Sequence, residues 1–175
     1  MSYAVYTTRG FVLGSAPSGE ASKRYSLYTE DFGLIHARAQ AVRLLASKLR
    51  YNLEDFSFCT FSLVRGKEVW RITGAEKAGG PFPRPLSLLH ARVLTLVKRL
   101  IHGEEANSEL FAVLVDMFKT PPLAKDIHAF ESLVLVRTLS SLGYMDSDIS
   151  SIEDVKARSG DVIREINKAL QETQL

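Results

Sequence analysis

The chain has 175 residues, 46% of them hydrophobic and 24% charged, with 22 Lys/Arg against 20 Asp/Glu. That length holds one generous domain or two small ones with a real core, and the composition is that of an ordinary globular protein. A single cysteine, Cys59, excludes an internal disulfide and a multi-cysteine zinc site.

No uninterrupted apolar run of about 18 residues marks a membrane span, and Met1-Ser2-Tyr3 opens no secretory signal, so a cytoplasmic protein is expected. The net charge of +2 conceals an asymmetry. Residues 1–80 carry 11 Lys/Arg against 7 Asp/Glu, a balance of +4, whereas residues 81–175 carry 11 against 13. The first half is the better candidate for a polyanionic partner.

Residues 4–13 are rich in β-branched and aromatic side chains and read as a first strand, ended by the loop-forming run Gly14-Ser15-Ala16-Pro17-Ser18-Gly19. A second strand over 23–29 reverses through Glu30-Asp31-Phe32-Gly33 into a third over 34–39. Alternation places Tyr25, Leu27, Thr29, Ile35, Ala37 and Ala39 inside, and Arg24, Tyr28, His36 and Arg38 together on the outer face. Residues 40–49 turn helical or irregular and carry a basic arm of Arg43 and Lys48, continued by Arg50. A fourth strand over 55–64 changes apolar phase near Cys59, which predicts a bulge there. Arg65-Gly66-Lys67 is a tight turn in which Gly66 is free to take positive φ, and 68–73 is a fifth strand with Trp70 and Ile72 on one side. Five strands with one insertion between the third and fourth predict a Greek-key barrel of the oligonucleotide/oligosaccharide-binding (OB) kind over 1–78.

Gly79-Gly80-Pro81-Phe82-Pro83-Arg84-Pro85 reads as a stiff linker over 79–85. After it everything is helical. Leu86, Leu89, Val93, Leu96 and Leu100 keep helical spacing, and a second helix over 108–119 is stopped by Pro121-Pro122. A third over 123–142 is closed by Gly143, a short fourth begins at Ser151, and a fifth runs from Ser159 or Gly160 to about Glu172. The expected fold class is α+β: an N-terminal five-stranded OB-fold barrel followed by an all-α helical bundle over 86–175.

The order of these elements and several local strings resemble the bacterial recombination mediator family RecO. The strings are Thr8-Arg9-Gly10-Phe11-Val12-Leu13, Gly19-Glu20, Lys23, Leu27, Thr29, Gly33-Leu34-Ile35 and, in the basic loop, Ala39, Arg43, Ser47-Lys48-Leu49-Arg50 and Leu53. Arg65-Gly66-Lys67, Trp70, Thr73-Gly74-Ala75-Glu76, Phe130-Glu131 and Leu142-Gly143-Tyr144 continue the likeness through most of the chain. Family members commonly have a lysine and a glycine where this chain has Gln40 and Ala41, and further basic residues near Leu44-Leu45. Many follow the Leu-Gly-Tyr string with a four-cysteine zinc module; here a compact tail over 147–175 stands in its place, so neither a metal nor another cofactor is expected. The resemblance implies a non-enzymatic protein. It would bind single- and double-stranded DNA without sequence preference, anneal strands, and contact a RecR-like protein and the C-terminal tail of single-strand-binding protein, helping RecA to load.

Nucleic-acid backbones need cations at intervals, and single strands need aromatic platforms. Arg9, Lys23, Arg24, Arg38, Arg43, Lys48, Arg50 and Arg71 supply the cations; Tyr28 and Tyr51 supply the rings. The same residues also read as a solvated charged face with tyrosines filling barrel ends. Phe56, Phe58, Phe61 and Trp70 read mostly as core, Cys59 as a buried inert thiol, and Glu104-Glu105 as solvated charges. His36, His90, His102 and His128 have no metal-like spacing. No phosphate-binding GxxxxGK[ST], HExxH or serine elbow occurs. In the helical half, Lys125 and Arg137 flank the apolar 133–142 run and are the candidate rim of a pocket for an apolar, acidic tail. A protein-interaction adaptor with little DNA binding of its own is the alternative function.

Overall fold

A computed structural model describes residues 4–44, 47–79 and 82–173; Leu45 of the basic loop and Gly80 and Pro81 of the linker lie outside them. The chain divides into two compact units, Met1–Pro81 with Ile101–Ala106, and Phe82–Leu100 with Asn107–Leu175.

The first unit is the expected barrel. Its strands are β1 (Val5–Pro17), β2 (Lys23–Thr29), β3 (Gly33–Ala39), β4 (Phe58–Arg65) and β5 (Trp70–Lys77), closed in the order β1-β2-β3-β5-β4, with a one-turn helix α1 (Leu49–Asn52) between β3 and β4. All pairings are antiparallel except β3 with β5, which run parallel through Ala37↔Trp70 and Arg38↔Arg71. Tyr25, Leu27, Ile35, Ala37, Ala39, Phe61, Leu63, Trp70 and Ile72 form the core, so the alternation expected for these strands holds.

Two features of β1 and β5 differ from expectation. β1 does not stop at Leu13: Val12 pairs with Leu27 and Gly14 with Ser26, leaving Leu13 as an extra residue, and the strand continues to Pro17. A bulge there bends the long strand from β4 toward β2, and a terminal proline costs no ladder bond. The second bulge lies opposite the Ser62/Leu63 step, where Thr73 of β5 is the extra residue, and not near Cys59. The phase change at Cys59 arises because Phe58 is buried on the other side, stacked on Phe11 at 4.7 Å. Gly66 is not at positive φ; a side chain there would instead collide with the carbonyl of Val69.

The segment Ile101–Ala106 belongs to the barrel. The Leu34 amide donates to the Gly103 carbonyl at 3.2 Å. Gly33, at φ +64, leaves room for the backbone of Glu105, which any Cβ would strike. Glu104 is not a free solvated charge: it accepts from Trp70 Nε1 at 3.2 Å and from Arg65 at 3.3 Å.

The second unit holds α2 (Arg84–Leu100), α3 (Ser108–Lys119), a 3-10 turn (Ala124–Asp126), α4 (Ile127–Ser141), α5 (Ile152–Ala157) and α6 (Ser159–Glu172). α2 starts two residues before the expected Leu86; Pro85 sits in its first turn, where an amide would have no helical partner. The stretch 123–126 leaves the expected long helix for the 3-10 turn. Asn107 caps α3 through Leu110 N, and Ser151 with Asp154 forms a capping box on α5. Leu133, Val136, Leu139, Val155, Val162 and Ile166 lead the core. Among the described residues no helix is long and apolar enough to cross a membrane, and no cluster of metal-ligating side chains occurs.

His90 is buried against Phe118, stacked at 4.1 Å, with Phe82 edge-on at 4.7 Å. Burial pushes its pKa down to about 4, opposed by a hydrogen bond to the Met117 backbone. Because the folded value lies below the ordinary 6.5, protons favour the unfolded chain. This contribution to stability is complete above pH 6.5 and is lost as pH falls toward 4, by up to about 3 kcal/mol. Urea midpoints measured from pH 7 to 4.5 should show this slope in the native protein and a flatter one in His90→Leu; equal slopes would refute it.

Candidate nucleic-acid interface

The outer face of β2 and β3 is graded along its length by cross-strand pairing. At one end Tyr28 lies opposite Leu34 and Phe11; in the middle Ser26 lies opposite His36; at the other end Arg24 lies opposite Arg38. The parallel contact with β5 then sets Arg71 beside Arg38. Three arginines thus form one row across three neighbouring strands, each strand about 4.8 Å from the next. All three are exposed, and among the described residues none meets a carboxylate. Like charges directly opposite one another on a sheet are destabilising, so the row is a standing field of positive charge without an internal partner.

A second group of cations gathers at the barrel rim. Lys23, whose side chain leaves β2 on the side opposite Arg24, joins Arg43 of the 40–48 loop and Arg50 of α1 around a hollow of about 230 Å³. Tyr25, Val42 and Leu53 complete its wall. Arg43 is held at both ends: its amide donates to Ala21 O at 3.0 Å and its guanidinium to Gly19 O at 3.3 Å. Lys23 Nζ lies 3.5 Å from Ser15 Oγ. Burial, followed by the field of Asp55, pushes the Tyr25 phenol up to about 12, so it stays protonated near neutrality. Lys48 is exposed on the same loop, and Tyr51 projects from α1 with 66% of its surface in solvent.

Two of the sequence-derived interface residues are placed elsewhere. Arg9 is engaged by Glu30, Nε donating to Oε2 at 2.8 Å and Nη2 to Oε1 at 2.5 Å, and this pairing holds the Glu30 carboxyl below its usual range. Its charge is therefore answered inside the molecule. Tyr28 is 1% exposed and offers no open ring face to a base. Alternation places it correctly on the outer face, but that end of the face is apolar and covered. Glu30 and Glu104, which decide which arginines remain open, carry no local signal in the sequence; their partners lie 21 and 39 residues away.

The helical unit has its own cavity, about 470 Å³, between α3 and α4 and under the 120–126 connection. Met117, Phe130, Leu133 and Val134 line it and Arg137 stands at its edge, while Lys125 is not part of its wall. Asp116 and Asp126 also line it, the latter paired with Lys156 at 2.6 Å. Arg137 donates to Ser150 O at 2.5 Å.

Residues 1–80 match the family described as Recombination protein O N terminal. The chain is 39% identical over 71 residues to the DNA repair protein RecO of Dehalococcoides mccartyi, covering 41% of this chain and 28% of that one. It is 40% identical over 73 residues to the same-named protein of Rubrobacter xylanophilus, covering 42% and 29%. With that of Caldicellulosiruptor bescii it shares 23% identity over 161 residues, covering 90% of this chain and 65% of the relative. The chain therefore spans less than a third of the first relatives it matches and about two thirds of the third.

The loop carrying Arg43 enters through Ala41 at φ 53, the left-handed region in which any Cβ is strained. Ala41→Gly should raise stability by about 1 kcal/mol, read as a higher urea midpoint. A lower midpoint would show that the added freedom of the unfolded chain outweighs the strain.

Proposed function

We propose, from the match of its first 80 residues to the RecO N-terminal family, that the chain is a RecO-type DNA-binding mediator of DNA repair and recombination. It acts without catalysis of its own. It holds single- and double-stranded DNA by the backbone, without sequence preference, and anneals complementary strands. With a RecR-like protein and single-strand-binding protein it assists RecA loading.

The observation that carries the reading is the open row of Arg24, Arg38 and Arg71. Repulsion within the row costs the folded protein a fraction of a kcal/mol per pair, and a line of phosphates reverses its sign. Lys23, Arg43, Lys48 and Arg50 extend the positive field around the rim, and Tyr51 supplies the one exposed ring among the predicted pair.

Anisotropy of a labelled oligonucleotide should show affinity falling steeply with salt, alike for unrelated sequences. Replacing Arg24, Arg38 and Arg71 together by alanine should lower the slope of log K against log salt by about 2, three contacts at roughly 0.7 each for a single strand. Arg9→Ala should leave that slope in place. Binding unchanged in the triple variant would sink the proposal.

A second reading, a protein-interaction adaptor, is favoured by the cavity of the helical unit. Its apolar wall and Arg137 suit an apolar tail ending in a carboxylate, although Asp116 and Asp126 oppose a strongly acidic one. A peptide copying the tail of single-strand-binding protein should bind, and Arg137→Ala should weaken it roughly tenfold. Tail binding with no DNA binding would favour the adaptor; no tail binding would remove this reading.

A further inference from the structure

The hollow at the rim differs in kind from the arginine row. It is concave, whereas the row is an open sheet face, and at about 230 Å³ it is smaller than the roughly 300–1,000 Å³ of sites for drug-sized ligands. Among the described residues of its wall none is a platform for a base, since Tyr25 is 1% exposed and Val42 and Leu53 are buried. Three cations from three separate segments converge on it: Lys23 from β2, Arg43 from the loop and Arg50 from α1. Among the described residues no carboxylate lines it; Asp55, which acts on Tyr25, stands outside the wall. Glu54, next in the chain, is occupied by Lys77. Arg43 is held beside it by its amide on the Ala21 carbonyl and its guanidinium on the Gly19 carbonyl.

We propose that this hollow is a receptor for a terminal phosphate monoester, so that the protein holds phosphorylated DNA ends in preference to hydroxyl ends. The DNA half of that statement rests on the function proposed above. An internal phosphodiester carries one negative charge, and its strand continues on both sides, which suits an open face. A terminal monoester projects from the strand, carries nearly two charges at pH 7 and presents three acceptor oxygens. Three cations around a small polar hollow more than offset that charge and can offer a donor to each of the three oxygens. The row then tracks the backbone and the hollow takes its end.

The test compares oligonucleotides of one sequence bearing a 5′-phosphate, a 3′-phosphate or hydroxyls only, by anisotropy on the full chain at fixed salt. A phosphorylated end should bind about tenfold tighter, the worth of one charge-assisted hydrogen bond. The ratio should fall toward one in the Arg43→Ala/Arg50→Ala variant. It should also shrink below about pH 6, where the monoester gains a proton. Arg38→Ala should lower all affinities and leave the ratio. Inorganic phosphate, titrated alone, should shift the side-chain Nε signals of Arg43 and Arg50 in NMR spectra. Equal affinity for all three oligonucleotides, with DNA binding intact, overturns end recognition and leaves the DNA reading standing. Arginine shifts with phosphate but no DNA binding would keep the hollow as a receptor for free phosphate and remove the DNA reading. Neither shifts nor discrimination overturns the receptor altogether.

Discussion

The barrel depends on a very short contact. Only two residue pairs, Ala37 with Trp70 and Arg38 with Arg71, join β3 to β5 and close the sheet. Beyond it, each edge takes a bond from outside the ladder: Gly103 accepts from the Leu34 amide of β3, and Asn52 of α1 donates to Ala75 O of β5 at 2.8 Å. A closed sheet leaves no row of unpaired backbone groups to recruit another chain. Closure also has an electrostatic consequence. Arg71 cannot avoid Arg38, because the register that buries Trp70 beside Ala37 puts the two arginines side by side on the opposite face.

Whether such a row stays open depends on where the unit's carboxylates go. Glu30 is drawn to Arg9, Glu54 to Lys77 and Glu104 to Arg65 and Trp70. None of these pairings engages Arg24, Arg38 or Arg71, and each ion pair is partly exposed, so none stabilises the barrel by much. Their effect is on the distribution of charge: Arg9, Arg65 and Lys77 are answered, and among the described residues Arg24, Arg38 and Arg71 meet no carboxylate. The net charge of the first half understates the field for the same reason. Along the same face, Tyr28 and Phe11 make the far end apolar, so the positive potential is confined to one end of the strands.

Much of this was legible in the chain. The period-two pattern of β2 and β3 assigned Ile35, Ala37 and Ala39 to the core and Arg24 and Arg38 to the outside, because one face of a strand must be buried and the pleat allows no other division. Helix ends were legible where a cap or a proline stands, as at Ser108, Lys119 and Ser151. What escaped depends on neighbours distant in sequence. The extension of β1 past Gly14 needs β2 as its partner, the bulge at Thr73 needs the β4 register, and the burial of Tyr28 needs whatever covers the outer face. Arg9 and Arg24 look alike in the sequence; only the fold gives one a carboxylate and leaves the other without.

The backbone of the 40–48 loop joins these observations. A non-glycine residue at φ 53 persists only where its surroundings over-determine the conformation, and strain of this kind tends to collect at working positions. Here the surroundings are visible: Val42 is buried in the barrel core, and the next residue, Arg43, is tied to Ala21 and Gly19. Inserting Val42 and aiming Arg43 at the rim fix the chain on both sides of the turn, and Ala41 absorbs the mismatch. Relaxing Ala41 into an ordinary conformation would move one of these two neighbours. The core anchors one, and the other aims a charge at the hollow, so the cost at Ala41 is the cost of holding a cation in place.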